Sequence, residues 1–338
     1  MKIAIYRNDN IGDLIISLPF INAVRTHFVE STIVLYGNKQ TEQVARLINI
    51  IDEFRLIQEA SIESIRQDQL NMCFFVGPIA PYEIEKLFVD AHVPVRIAMR
   101  DQDKFNTLTK RFDGPTSQDY GHVALNDFKM LAQFGIPQPS LESIKEQQNQ
   151  FFETQHLAPY FDAPLHYVVM HTKSNKNGKE WPIKYFNELK QELLIRGLSV
   201  VFTGSMAEKD QALRECPDLL EGESVIDLFG KTTTNQFFCV LKFSNAVVCS
   251  GTGPLHLAAG LDVATVGLFP PYLEGNVKRW GPLGRKTIFL EGTGGCKKPW
   301  YKKYLKHRQC NKVGTSCACM INIKLSDVLN AVIGVTRK

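Results

Sequence analysis

Residues 245–269 read NAVVCSGTGPLHLAAGLDVATVGLF. An uninterrupted apolar run ends at Cys249, and a loop carrying Gly251 and Gly253 follows. Pro254 then stands at the expected first position of a helix, where its missing N–H costs nothing. A second apolar run, ATVGLF, closes the unit. Strand, glycine loop, helix and strand, with no polar alternation in the strands, predict a parallel sheet covered on both faces.

The same rhythm continues outward from this unit. Upstream, HYVVMHT reads as a strand, WPIKYFNELKQELLIRG as a helix ending at Gly197, LSVVFTGS as a strand and NQFFCVLKFS as a helix. Nearer the N-terminus, KIAIY precedes an apolar helical stretch from Leu14 to Phe28, and TIVLYG precedes the helical pattern KQTEQVARLI. MCFFVG and PVRIAM are further strands. The polar, Pro-containing stretch from Gln147 to Pro164 reads as a linker. The expected class is α/β, with two doubly wound, Rossmann-like halves at residues 1–155 and 156–338 facing a cleft, and the last helix packing back on the first half. Ligands in such sheets bind outside the carboxyl ends of the strands.

Composition bounds the function class. The 338 residues are 44% hydrophobic and 22% charged, which fits two ordinary globular domains. No window approaches the ~20 uncharged apolar residues of a membrane span. The N-terminal apolar residues are broken by Lys2, Arg7, Asp9 and Asp13, unlike a signal peptide, so the expected location is cytoplasmic. The net charge is +4, and from Gly292 to Lys324 there is no acidic residue. Lys297, Lys298, Lys302, Lys303, Lys306, Arg308, Lys312 and Lys324 there read either as a solvated loop or as a surface for anionic lipid headgroups or substrate. Nucleic acid is not an expected partner, since the rest of the chain is near neutral and shows no recognition motif. Cys73, Cys239 and Cys249 read as small core residues. Cys296, Cys310, Cys317 and Cys319 lack a CxxC pair, and reduced or locally paired thiols are favoured over zinc. Asp101 and Asp103 of DQD offer a metal-binding carboxylate pair that the doubly wound repetition argues against.

Three strand ends of the second half carry anion chemistry. The helix after Gly251, Thr252 and Gly253 presents N–H groups and a positive dipole end to a diphosphate, with Ser250 and Thr252 as hydroxyl donors and His256 one turn inside. In HTKSNKNGKEWP, Lys173, Lys176 and Lys179 form a basic loop, and Lys179 is the favoured phosphate contact. FTGSMAEKD offers Ser205 and Glu208, the latter for ribose hydroxyls. In the first half, NDNIGDLIISLPF sets Asp13 where an apolar helix begins, beside Asn10 and Gly12 on the acceptor side. Asp13 is read as the base, with a plain helix-terminal aspartate as the alternative.

IGDLIISLPFINAVR, KEWP, TGS followed by Glu208, and TGPLHLAAGL resemble family 9 glycosyltransferases, the lipopolysaccharide heptosyltransferases. The likeness runs nearly the length of the chain, with HVPVRIAM, HVALNDFKMLAQFGIP, LFGKTTTNQF, KRWGPLG and CACMINIKLSDVLNAV in support. It implies a GT-B fold, an inverting transfer without metal or cofactor, an ADP-heptose donor and a lipopolysaccharide precursor at the inner membrane face as acceptor. It maps the catalytic aspartate to Asp13 and the diphosphate lysine to Lys179. Glu208 takes the ribose side, and Thr252, Gly253 and His256 the diphosphate loop. Gly251 departs from the pattern, which often carries Asp or Ser there. A nucleotide-sugar epimerase, a non-catalytic sugar-nucleotide sensor, and transfer to a protein or another glycan are the competing readings.

Overall fold

The computed structural model describes residues 1–77, 80–99, 105–113, 121–160, 166–173, 180–271, 275–294, 312–313 and 316–336. The chain divides into two compact units, Met1–Thr154 and Gln155–Lys338.

The first unit holds six parallel strands: β1 (Lys2–Tyr6), β2 (Thr32–Gly37), β3 (Glu53–Leu56), β4 (Met72–Phe75), β5 (Val95–Met99) and β6 (Lys110–Phe112). They lie in the order β3-β2-β1-β4-β5-β6. The order reverses between β1 and β4, so the binding crevice expected of a doubly wound sheet opens beyond Tyr6 and Phe75. Helix α1 (Ile11–His27) follows β1. It begins earlier than the periodicity from Leu14 suggests, because Asn10 takes the N-cap position in extended backbone.

Helix α1 is buried almost all round between Leu14 and Ile21, so packing rather than an exposed polar face fixes it. Phe20 sets its ring edge against Phe74 of the sheet (5.4 Å) and Phe128 (6.1 Å). Phe128 belongs to a 3₁₀ helix, Val123–Phe134, which is long for its kind and covers α1. Pro19 lies inside α1 and has no N–H for the carbonyl of Ile15. Gln148, which is 1% exposed, fills that vacancy: its Nε2 donates to Ile15 O at 3.3 Å across 133 residues of sequence. Gln148–Phe151 form a short 3₁₀ turn with both end residues buried, and Phe152 bridges to Ile48. The polar stretch expected as a linker therefore begins as packed structure of the first unit.

The second unit repeats the plan with β7 (Tyr167–His171), β8 (Ser199–Thr203), β9 (Val225–Asp227), β10 (Ala246–Ser250), β11 (Thr265–Phe269) and β12 (Thr287–Glu291). All are parallel, in the order β12-β11-β10-β7-β8-β9, and here the reversal falls between β7 and β10. The last helix, Leu325–Thr336, lies on β10–β12 and on the helix Ile183–Ile195 of its own unit. Trp181 plugs the same core, 1% exposed, with Nε1 donating to Ile323 O at 2.9 Å and its ring edge-on to Phe186.

Candidate active site

In the first unit, the crevice between β1 and β4 collects charge. Asp13 is in the first turn of α1, about one-fifth exposed. Asn10 could cap the helix with its side chain but makes no such bond; its Nδ2 donates instead to Asp13 Oδ2 at 3.3 Å. Gly12 is a buried residue of the helix itself rather than part of an open loop, so it fixes α1 against its surroundings. Arg7, the first residue past β1, places Nη2 3.6 Å from Asp13 Oδ1 and Nη1 3.5 Å from Asp9 Oδ2. Burial raises the Asp9 carboxyl above its ordinary range, Arg7 opposes this, and Asp13 adds to it. Asp127, on the 3₁₀ helix, is also raised by burial against the pull of Arg7 and of the Gly77 N–H, which donates to its Oδ1 at 3.4 Å.

In the second unit, the crevice between β7 and β10 is lined by hydroxyls. Cys249 pairs with His171 in the sheet, so Ser250 and Thr172 follow on neighbouring strands. Both are 1% exposed, and neither Ser250 Oγ nor Thr172 Oγ1 has a hydrogen-bond partner among the described residues. Thr252 is the N-cap of the helix Gly253–Gly260, and its Oγ1 donates to Ser250 O at 3.1 Å. Pro254 therefore occupies the second helical position, one later than expected, and is still free of any N–H requirement. His256 is buried in the next turn.

Ser205 and Glu208 form a reciprocal cap on the helix Met206–Glu215: Glu208 N donates to Ser205 Oγ, and Ser205 N donates to Glu208 Oε2 at 2.7 Å. The same carboxylate faces His171, whose ring is pushed below its ordinary value by burial while Glu208 pulls it up. Lys173 is not part of an open basic loop. It is 3% exposed and ion-paired to Glu180 (3.3 Å) and Glu215 (3.0 Å), since a buried ammonium needs partners. Lys176 and Lys179 lie outside the described residues, as do Asp101, Asp103, Cys296, Cys310 and the basic run from Lys297 to Arg308. Cys319 is a buried free thiol.

Gly251 has a steric reason to be glycine. A Cβ there would lie 2.4 Å from Cε1 of Phe269, whose ring is fully buried at the end of β11. The acidic or hydroxyl side chain often found at this point in the resembled pattern has no room beside that ring. Gly251→Asp is expected to cost about 1–3 kcal/mol by overpacking. A double-mutant cycle with Phe269→Ala should return a coupling of about 0.5–3 kcal/mol; simple additivity in thermal melts would mean the ring is not the obstacle.

The residues that sequence reasoning missed are Arg7, Asp127 and Thr172. Arg7 had a signal, being a charge directly after an apolar strand. Asp127 sits inside the apolar pattern of HVALNDFKML and had none.

Two sheets of identical order, each with its polar groups at the strand-order reversal, define a recurrent architecture. Residues 87–306 match the sequence model of glycosyltransferase family 9 (heptosyltransferase). The chain belongs to glycosyltransferase family 9. Lipopolysaccharide heptosyltransferase 1 of Pseudomonas aeruginosa is 31% identical to this family 9 chain over 181 residues, covering 52% of this chain and 47% of that protein. The alignment thus spans about half the curated relative's length. The structure of E. coli ADP-heptose lipopolysaccharide heptosyltransferase II superposes with a TM-score of 0.75 at 17% identity, covering 100% of this chain and 99% of that one. A family 9 glycosyltransferase from Veillonella parvula DSM 2008 gives 0.76 at 18% identity, covering 99% and 97%. The family 9 chain therefore has the two-domain GT-B fold. Among its described residues, no helix is long and apolar enough to cross a membrane.

Proposed function

We propose that this family 9 protein is an inverting, metal-independent glycosyltransferase that moves heptose from ADP-heptose to a lipopolysaccharide inner-core acceptor. The observation that carries the reading is the placement of its polar groups. Asp13 stands at the strand-order reversal of the first sheet, and the Ser250–Pro254 loop at that of the second. Inverting transfer needs one base at the acceptor hydroxyl and donors that hold the leaving diphosphate. Asp13 supplies the base, with Asn10 steadying one of its oxygens. Thr252, Gly253 and His256 receive the diphosphate, Lys179 adds its charge, and the outer oxygen of Glu208 takes a ribose hydroxyl. The hydroxyls of Ser250 and Thr172, without a partner among the described residues, suit phosphate or sugar oxygens in the same crevice. The acceptor is anionic and the enzyme meets it at the inner face of the cytoplasmic membrane through its basic segment.

The test combines binding and turnover. ADP-heptose at ~100 times its dissociation constant should stabilise the protein by ~2.7 kcal/mol in a thermal shift, and ADP should also raise the melting temperature. ADP should be released only when a heptose-free inner-core acceptor is added. Conversion of donor alone into an isomer would instead establish an epimerase, and a donor that binds without turnover would establish a sensor.

A further inference from the structure

Arg7 is 6% exposed and lies where a side chain at residue 77 would otherwise be. A Cβ on Gly77 would fall 1.3 Å from Arg7 Nη1, and Gly77 holds φ +88, which disfavours any other residue. Three carboxylates converge on this one cation. Asp13 and Asp9 stand 3.6 and 3.5 Å from separate Nη atoms, and Asp127 lies within its electrostatic reach on the far element. None of these is the close bidentate fork that a guanidinium and a carboxylate form when paired for stability. Arg7 Nε and Nη1 have no hydrogen-bond partner among the described residues. One cation is loosely shared among three anions.

We propose that Arg7 is the positioning residue for Asp13, holding its carboxylate in place at the crevice, while Asp9 and Asp127 compete with Asp13 for the guanidinium. This rests on the reading of Asp13 as the base. Among the described residues, the other groups facing the cluster are the Asn10 amide, the Gly77 N–H and, from β1, Tyr6, whose phenol bonds Asn8 and feels Asp9. None of these is a second cation. Loss of Arg7 removes the pull that opposes burial at Asp9 and Asp127, so the cluster takes up protons at higher pH; loss of Asp127 concentrates Arg7 on the other two.

The experiment measures two opposite shifts. With ADP-heptose and a heptose-free inner-core acceptor, the acid limb of the turnover profile should move up by about one pH unit in Arg7→Met and down in Asp127→Asn. The Asp13 carboxyl resonance in ¹³C-aspartate-labelled protein at one fixed pH, assigned by its absence in Asp13→Asn, should be displaced in opposite directions in Arg7→Met and Asp127→Asn. Shifts of one sign in both variants, or none, overturn the proposal, since a merely structural lesion lowers turnover without opposite pH shifts. Should Arg7→Met fail to fold, Asp9→Asn and Asp127→Asn carry the test, both expected downward, and a fixed limb in both overturns it. Undiminished turnover in Asp13→Asn would sink the base reading alone; the displacement of the Asp13 carboxyl resonance at fixed pH would still decide the role of Arg7.

Discussion

Asp13→Asn is expected to lower turnover by about 10²–10⁴ while leaving donor affinity within a factor of two or so, because the amide keeps the size of the carboxylate but accepts no proton. The alternative role for an acid in a first helical turn is interaction with the helix dipole, worth only ~0.3–1 kcal/mol of stability. The surroundings of Asp13 favour the first role. Asn10, the natural capping residue, turns its amide toward Asp13 instead of the helix N–H groups, and Arg7 is held beside it in a nearly closed space. Melting temperature and turnover separate the two: a dipole residue shifts the first slightly and spares the second. Wild-type turnover with a small loss in melting temperature would leave Asp13 as an ordinary helix-terminal acid.

The largest expected stability loss comes from Trp181→Ala, at about 3–5 kcal/mol. The indole is 1% exposed and packs on Tyr185 and Phe186, and its Nε1 is the partner of the Ile323 carbonyl. Removal leaves a large void and an unsatisfied buried carbonyl at once. The change also loosens the anchoring of the C-terminal helix, whose Val328 and Val332 share that core. Urea unfolding should show the loss, and Trp181→Phe should recover the packing but not the hydrogen bond. An alanine variant within about 1 kcal/mol of wild type would mean that the core collapses to fill the space.

The central strands were legible because they are apolar on both faces. KIAIY, MCFFV, YVVM and AVVCS read as strands at sight and occupy the middle of their sheets. The edge strands β3 (EFRL), β6 (KRF), β9 (VID) and β12 (TIFLE) were not foreseen. They are short, partly exposed and charged, as edges must be to discourage pairing with another chain, and those properties erase the apolar signature. The same division holds for the candidate site. Asp13 and the Gly251–Gly253 loop stand out because polar or glycine residues interrupt apolar runs there. Asp127 and Arg7 depend on a meeting of β1, the loop after β4 and a 3₁₀ helix, which no local pattern records. Lys173 was misread for the same reason, since Glu215 lies 42 residues away in sequence.

The bond from Gln148 to the carbonyl freed by Pro19 has a consequence for synthesis on the ribosome. The helix that carries Asp13 emerges early, yet one of its backbone groups finds its partner only after nearly the whole first unit has been made. β1 can pair early with β2, but its other neighbour, β4 across the strand-order reversal, comes later. The nascent segment therefore completes its packing only after it has left the exit tunnel, and the acidic end of the helix gains this last contact toward the close of the unit's folding. Stalled, pulse-labelled chains should show this as protease cleavage along Ile11–His27 that ceases once Gln148 has cleared the ribosome; early protection would mean that the helix docks without it.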